Sequence, residues 1–510
     1  MSLNTTRAKT VGLNKAPVTP PVKASKIKDP AKKSHYFKDL ITAFQNGDKY
    51  VRLSALFMGT GYIARKQVIK GILVQLLQIL YILAIIFYAG PSFAKFDTLG
   101  TVEFAYEKVG LNTRINNYDN SFLILLNSIV GFFAIFVFIL LWIHNIKAVY
   151  DLQKRAEKGR PINNFRQDIH SLVEGNFHIT LLALPTIGVI LINILPILIL
   201  IAIAFTNYGG LDHTPPTHLF TWTWRVKDAS GQVVGKVWDN FAQFFNSTNS
   251  NFNYAFWKIA GWTLLWALLA TFTCFIGGIL LAKLINSDGI KFRKMWRTLF
   301  IITIAVPQFV SLILVRNFFR DSGIFNTMCS DIGLTKLLYN LHLIPTKDYI
   351  PFLTNPKWTK FMIVMINIWV GVPYQMLIAT GVLMNIPKSQ VESARLDGAN
   401  NFQVFVHIIM PYFLVVQGPA LITDFVRNIN NFNVIYLLTQ DVYTTHDLKM
   451  AAANAKEPDL LVTWLFRLTN ENASYNIASV IGIIVFIACA TFTLISFGIM
   501  MRGNKEEDYR

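Results

Sequence analysis

Eight stretches of the chain stay apolar for roughly 20 residues or more, the length a helix needs to cross a bilayer core. They are 68–90, 121–143, 179–206, 256–285, 298–319, 359–383, 410–438 and 475–500. The second, third and last contain no Asp, Glu, Lys or Arg. In the first, fourth, fifth and sixth, charged residues occur only near an end (Lys70, Lys258, Lys283, Arg316, Lys360), where a long side chain can reach the interface while its stem stays in apolar surroundings. Only the seventh carries charge well inside, at Asp424 and Arg427. Soluble helices of this length keep a polar stripe. The pattern therefore predicts an all-α polytopic membrane protein with eight transmembrane helices.

Between the runs the pattern changes. Residues 1–33 combine four prolines with seven Lys and one Arg, a composition that reads as disordered. Residues 34–66 mix Phe37, Leu40, Ile41 and Phe44 with Lys38, Asp39 and Lys49, which predicts an amphipathic segment at the membrane surface. The longest loop between runs, 207–255, holds Pro215-Pro216, Trp222-Thr223-Trp224 and a turn signal over Ser230–Gly235; its alternation predicts a small β-rich cap. The expected organisation is a tail and amphipathic segment (1–67), an extra helix pair with its following loop (68–178), a third span with its loop (179–255), and a core of spans (256–510).

Composition agrees with this reading and narrows it. Of 510 residues, 53% are apolar and 15% charged, against about 25% charged in an ordinary globular protein. That excludes a disordered chain, a collagen and a disulfide-rich module. The net charge of +18 raises the question of a nucleic-acid partner, which the placement of the charges answers. With the N-terminus inside, the inner segments carry 28 Lys and Arg in 150 residues and the outer ones 13 in 154. This is the bias that orients membrane proteins, so both termini are expected in the cytoplasm, with Cys329 outside and Glu392 inside, and no nucleic acid is expected. Cys274, Cys329 and Cys489 lack metal-ligand spacing, the nine His are scattered, and no Walker A sequence occurs. No catalytic residue, metal or cofactor is expected, and any ATP hydrolysis must come from a partner.

The loop between the sixth and seventh runs, 384–411, carries a motif. Pro387 and Ser389 mark a helix start, Gln390–Leu396 makes two turns, Gly398 breaks it between small neighbours, Phe402, Phe405 and Ile408 restart an amphipathic helix, and Pro411 marks entry to the membrane. Such a protruding helix–turn–helix with an acidic residue suits a groove on a partner. Glu392, Ala394, Asp397, Gly398, Ala399 and Pro411 match the pattern of the EAA loop of ABC-importer permeases, with Ser393 for an Ala and Met410 for a Leu.

The wider chain resembles the larger permease subunit of maltose/maltodextrin ABC importers. The resemblance is carried by Phe205–Tyr208, Val306–Ser311, Asn367–Tyr374, Asn428–Phe432, Leu437–Thr439 and Asp459–Leu461. It implies an ABC-importer permease core, a second permease subunit, an ABC ATPase dimer and an extracellular sugar-binding protein. Glu392, Ser393, Ala394, Asp397, Gly398 and Ala399 would couple to the ATPase. The location implied is the bacterial plasma membrane, and the activity is uptake of maltose or malto-oligosaccharides by ATP-driven alternating access. Another oligosaccharide or glycoside is the alternative cargo, and an ion-coupled secondary carrier, with Asp424 and Arg427 as its relay, the alternative class.

A sugar site is expected midway across the membrane between the fifth, sixth and seventh runs. Asp424, Arg427, Asn428 and Asn431 are offset by three, four and seven residues, hence on one helical face, and Asn367, Gly371 and Tyr374 repeat the spacing on the sixth run. Amides and charges suit sugar hydroxyls, and an aromatic face suits the C–H surface. The resemblance implies sugar contact for Asn367, Gly371, Tyr374, Asn428 and Asn431, whereas Asp424 and Arg427 depart from the family, which has small or aromatic residues there.

Overall fold

The computed structural model describes residues 36–109, 112–175, 177–210, 219–246, 251–287 and 289–503. The proline-rich tail over 1–33 and Pro215-Pro216 lie outside the described residues. Among the described residues, seven helices are long and apolar enough to cross a membrane: Val68–Lys95, Ser121–Glu157, Phe177–Ile203, Asn251–Asn286, Pro356–Asn385, Asn401–Thr439 and Tyr475–Met500. The fifth predicted run is not one straight span. It is the helix pair Arg293–Ala305 and Gln308–Phe318, bent by 91°. Counting that pair as one gives eight crossings, and they are numbered below as spans one to eight. The chain is a helical multi-pass membrane protein.

Proline accounts for the departures from straight helix. Three π turns occur among the described residues, at Ile85–Ala89, Ile190–Ile194 and Phe405–Ile409. Each ends two residues before a proline: Pro91, Pro196 and Pro411. A proline ring crowds the carbonyl four residues earlier and offers no N–H to it, and widening that turn relieves both problems. At Val306-Pro307 the chain breaks instead. Val306 is extended, with φ −76° and ψ 126°, the conformation favoured before proline, and Pro307 begins the next helix. Span seven has a gentler interruption at Asn430-Asn431, where the Asn431 side chain accepts from Val434 N at 3.4 Å and caps the continuing helix.

Contacts divide the chain into two compact units, Met1–Tyr81 with Val137–Gly175, and Ile82–Phe136 with Asn176–Arg510. In the first, the expected amphipathic segment is helical (Tyr36–Asn46, Lys49–Leu53, Thr60–Ile63). Its apolar residues Ala43, Val51 and Tyr62 are buried against Ile146, Val149 and Leu152 of span two. Polar groups align the two: Trp142 Nε1 donates to Ala55 O at 2.7 Å, and Asp48 N donates to Gln153 Oε1 at 2.9 Å.

In the second unit the loop 207–255 contains no β-rich cap among its described residues. It has two isolated bridges, Thr206 to Trp222 and Lys227 to Val233. The predicted turn is present: Asp228 Oδ1 accepts from Ser230 N and Gln232 N at 2.9 Å, and Gly231 takes φ +81°. The flanking residues are too few to extend a ladder. A short hairpin, Tyr106–Val109 with Asn112–Ile115, lies in the loop between spans one and two instead. Cys329 is buried at 3% exposure, so its thiol does not report which side of the membrane it faces. After span seven, the loop is fixed by a buried ion pair between Arg467 and Asp459 at 3.1 Å.

Span four (Asn251–Asn286) runs along span six (Pro356–Asn385) at glycine contacts. A Cβ on Gly278 would lie 2.5 Å from Gln375 Cβ, one on Gly277 2.8 Å from Val372 Cγ2, and one on Gly371 2.6 Å from Cys274 Sγ. Small residues let membrane helices approach this closely, so that packing rather than hydrophobicity holds them.

Candidate functional site

Where spans four and six meet span seven, the helices enclose a cavity of about 390 Å³, within the range of small-molecule sites. Span four contributes Thr271 and Cys274. Span six contributes Asn367, Gly371, Tyr374 and Gln375, and span seven Asp424, Arg427 and Asn428. The interrupted turn adds Asn430, Asn431 and Phe432, and the start of the second half of span five adds Gln308. All seven residues singled out from the sequence thus line one cavity. Thr271, Cys274, Gln308 and Gln375 were not singled out. Thr271 and Cys274 sit three apart, on one helical face, in a run that also holds Thr273, and small polar side chains of this kind do not stand out from an apolar span.

The side chains differ in what they leave available. Asn428 is 9% exposed, and its amide bonds to neighbours through both its nitrogen and its oxygen. Its Nδ2 donates to Thr271 Oγ1 at 3.0 Å, its Oδ1 accepts from Asn431 Nδ2 at 3.3 Å, and its backbone carbonyl accepts from Trp266 Nε1 at 3.1 Å. Asn367 is also buried, with Nδ2 3.5 Å from Cys274 Sγ. Gly371 lines the cavity, yet its missing side chain is required by Cys274 on the facing helix. Glycine there serves helix packing as well as access.

The charges form a chain. Gln375 Nε2 donates to Asp424 Oδ2 at 2.9 Å, and Arg427 Nη2 lies 2.9 Å from Asp424 Oδ1. Pairing lowers the cost of carrying two charges on a helix apolar enough to cross a membrane. Tyr374, 44% exposed, presents a ring and a hydroxyl, and Phe432 stacks on Tyr436 with centroids 4.6 Å apart. The site offers amide, guanidinium and aromatic surfaces together. No group of three His, Cys, Asp or Glu able to hold a metal occurs among the described residues.

The second candidate site is the loop after span six. Lys388–Leu396 is helical behind Pro387, and the turn at Gly398 is a Schellman motif. Ala399 N donates to Ala394 O at 2.9 Å and Gly398 N to Arg395 O at 3.1 Å, with Gly398 at φ +85°. That pattern needs a residue in the left-handed region at this position, which glycine adopts without penalty. Asn400 and Gln403 then form a capping box for the next helix. Glu392, Ser393 and Asp397 are exposed, and Ala394 and Ala399 are half-buried at the turn. Leu396 and Phe402 are 89% and 73% exposed, large apolar groups on a surface that nothing among the described residues covers.

Residues 275–504 match the family of binding-protein-dependent transport system inner membrane components. The chain is 30% identical over 450 residues to the maltodextrin transport system permease protein of Streptococcus pneumoniae serotype 4, covering 87% of this chain and 94% of that one. It is 28% identical over 455 residues to the galactooligosaccharides transport system permease protein of Bacillus subtilis strain 168, covering 89% and 98%. A solved chain from a bacterial alginate ABC transporter aligns with a TM-score of 0.48 and 22% identity, over 65% of this chain and 97% of that one.

Proposed function

The chain belongs to the family of binding-protein-dependent transport inner-membrane components, and we propose that it is the permease subunit through which an ABC importer takes up maltose or malto-oligosaccharides. The observation that carries this reading is the cavity between spans four, six and seven. Its amides, its guanidinium and the Tyr374 ring are the surfaces a sugar requires, and they lie within helices that cross the membrane. The nearly equal similarity to a galacto-oligosaccharide permease supports a second cargo, galacto-oligosaccharides, through the same cavity.

The proposed assembly contains a second permease subunit, a pair of ATPases that supply the hydrolysis, and an external sugar-binding protein. Glu392, Asp397 and the Gly398 turn engage the ATPase, where a carboxylate makes charge-assisted contacts and exposed Leu396 and Phe402 become covered. The Lys and Arg bias supports a cytoplasmic position for both termini and this loop. Closure of the ATPases then moves the loop as a rigid body and switches access to the cavity.

The test is uptake of radiolabelled maltotriose and of a galacto-trisaccharide by cells producing the assembled complex. Tyr374→Ala, at a half-exposed position, is expected to lower uptake of the true cargo at least tenfold while assembly and basal ATP hydrolysis persist. Unchanged uptake of both sugars across a wide concentration range would move the site out of this cavity.

A further inference from the structure

Among the described residues, Asp424 and Arg427 are the only charged ones lining the cavity, and their formal charges cancel. Their exposure is unequal: 62% for the Arg427 side chain and 17% for Asp424. Both carboxylate oxygens are engaged, Oδ1 by Arg427 and Oδ2 by Gln375, and Gln375 is itself 8% exposed. A guanidinium carries five N–H donors, and one terminal nitrogen of Arg427 is directed at Asp424. The pair therefore offers the cavity a set of guanidinium donors, with the carboxylate held behind them.

An unpaired guanidinium in such a site would be a strong bidentate receptor for a carboxylate. Here a second carboxylate already lies against it, and like charges brought together at a binding surface cost several kcal/mol. A sugar hydroxyl meets no such penalty. We propose that the Gln375–Asp424–Arg427 chain sets the charge class of the sugar. Arg427 donates to oxygens of a neutral oligosaccharide, Asp424 excludes sugars that carry a uronate carboxylate, and Gln375 is the positioning residue that holds Asp424 in place. This is specificity by a repulsive element as well as an attractive one. It rests on the reading of the cavity as the sugar site.

The experiment uses the whole complex, purified with its co-expressed partners in nanodiscs, without ATP or binding protein. Equilibrium dialysis compares radiolabelled maltotriose with a trisaccharide of the same length ending in glucuronate. The wild type is expected to prefer maltotriose at least tenfold. Asp424→Asn and Asp424→Ser should each shift that ratio toward the uronate about tenfold, and adding Arg427→Gln should abolish the shift. Gln375→Leu, which leaves both charges in place, should move the ratio about threefold in the same direction. The ratio is the deciding quantity, because a general loss of packing lowers both affinities alike. If maltotriose still binds and the ratio stays within twofold of wild type in the Asp424 variants, the inference is wrong. If Asp424 variants do not assemble, an unchanged ratio in Gln375→Leu overturns it equally. Binding of neither sugar by the wild type overturns the reading of the cavity itself, and this inference with it.

Discussion

In the cavity between spans four, six and seven, polar side chains lie where membrane helices ordinarily carry apolar ones; in the loop 386–411, large apolar side chains lie where a loop ordinarily carries polar ones. The two regions resolve these inversions differently. Asn428, Asn431, Thr271, Asp424 and Gln375 are satisfied by one another. Leu396 and Phe402 are covered by nothing among the described residues. A buried polar cluster that closes on itself can be a structural seam and a binding surface at once. Exposed apolar side chains beside a rigid turn are a surface that a partner can cover. Function in the first region therefore has to be separated from packing by experiment, whereas in the second the fold and the contact surface are already separate.

The largest effect is expected at the turn. Gly398→Val introduces a β-branched residue at φ +85°, where an ordinary L-residue already loses about 1–2 kcal/mol. No atom obstructs the new Cβ, so the strain is purely conformational. Sugar-stimulated ATP hydrolysis by the assembled complex is expected to fall more than tenfold, and Gly398→Asn, which tolerates that conformation, to retain most of it. Equal loss in both would mean that side-chain bulk against a partner, not backbone geometry, matters there.

A smaller effect is expected in the cavity. Asn428→Leu removes the acceptor of Asn431 Nδ2 and the donor to Thr271 Oγ1. Interhelical hydrogen bonds in membranes contribute on average about 0.6 and at most about 1.7 kcal/mol, so the thermal midpoint of the purified complex should drop by only a few degrees while maltotriose uptake falls about tenfold. A large drop in the midpoint with proportionate loss of uptake would make the cluster a seam alone.

The smallest perturbation sharpens the comparison by sidedness. In a cysteine-free background, Leu396→Cys is expected to react with an impermeant thiol reagent only after lysis, and Asp348→Cys, at an exposed position in the loop after span five, in intact cells. The opposite pattern would invert the proposed orientation.

The spans were legible because each is a long run with one uniform solvent requirement, and the loop motif because its turn depends on a single glycine. The bend in span five was not read, although Pro307 after Val306 carried the signal: apolarity says how long a segment can remain in lipid, not whether its backbone continues. The cavity was found from span seven, where charges stand out against an apolar run. Thr271 and Cys274 were passed over because a hydroxyl and a thiol blend into such a run, and Gln375 because its meaning depends on Asp424 across the interface. The β-rich cap was misread because alternation over a few residues does not supply a partner strand.

The glycine contacts between spans four and six also bear on mechanics. A Cβ has no room at Gly278, so neither helix can slide along its neighbour by a turn without collision; the pair is a beam rather than a hinge. Compliance is left to places where the hydrogen-bond ladder is already open. Two of these flank the cavity, the kink at Val306-Pro307 beside Gln308 and the interruption at Asn430-Asn431. A deformation that widens the cavity meets least resistance there, because no backbone bond has to break, and the wall carrying Asn367 and Tyr374 is the stationary jaw.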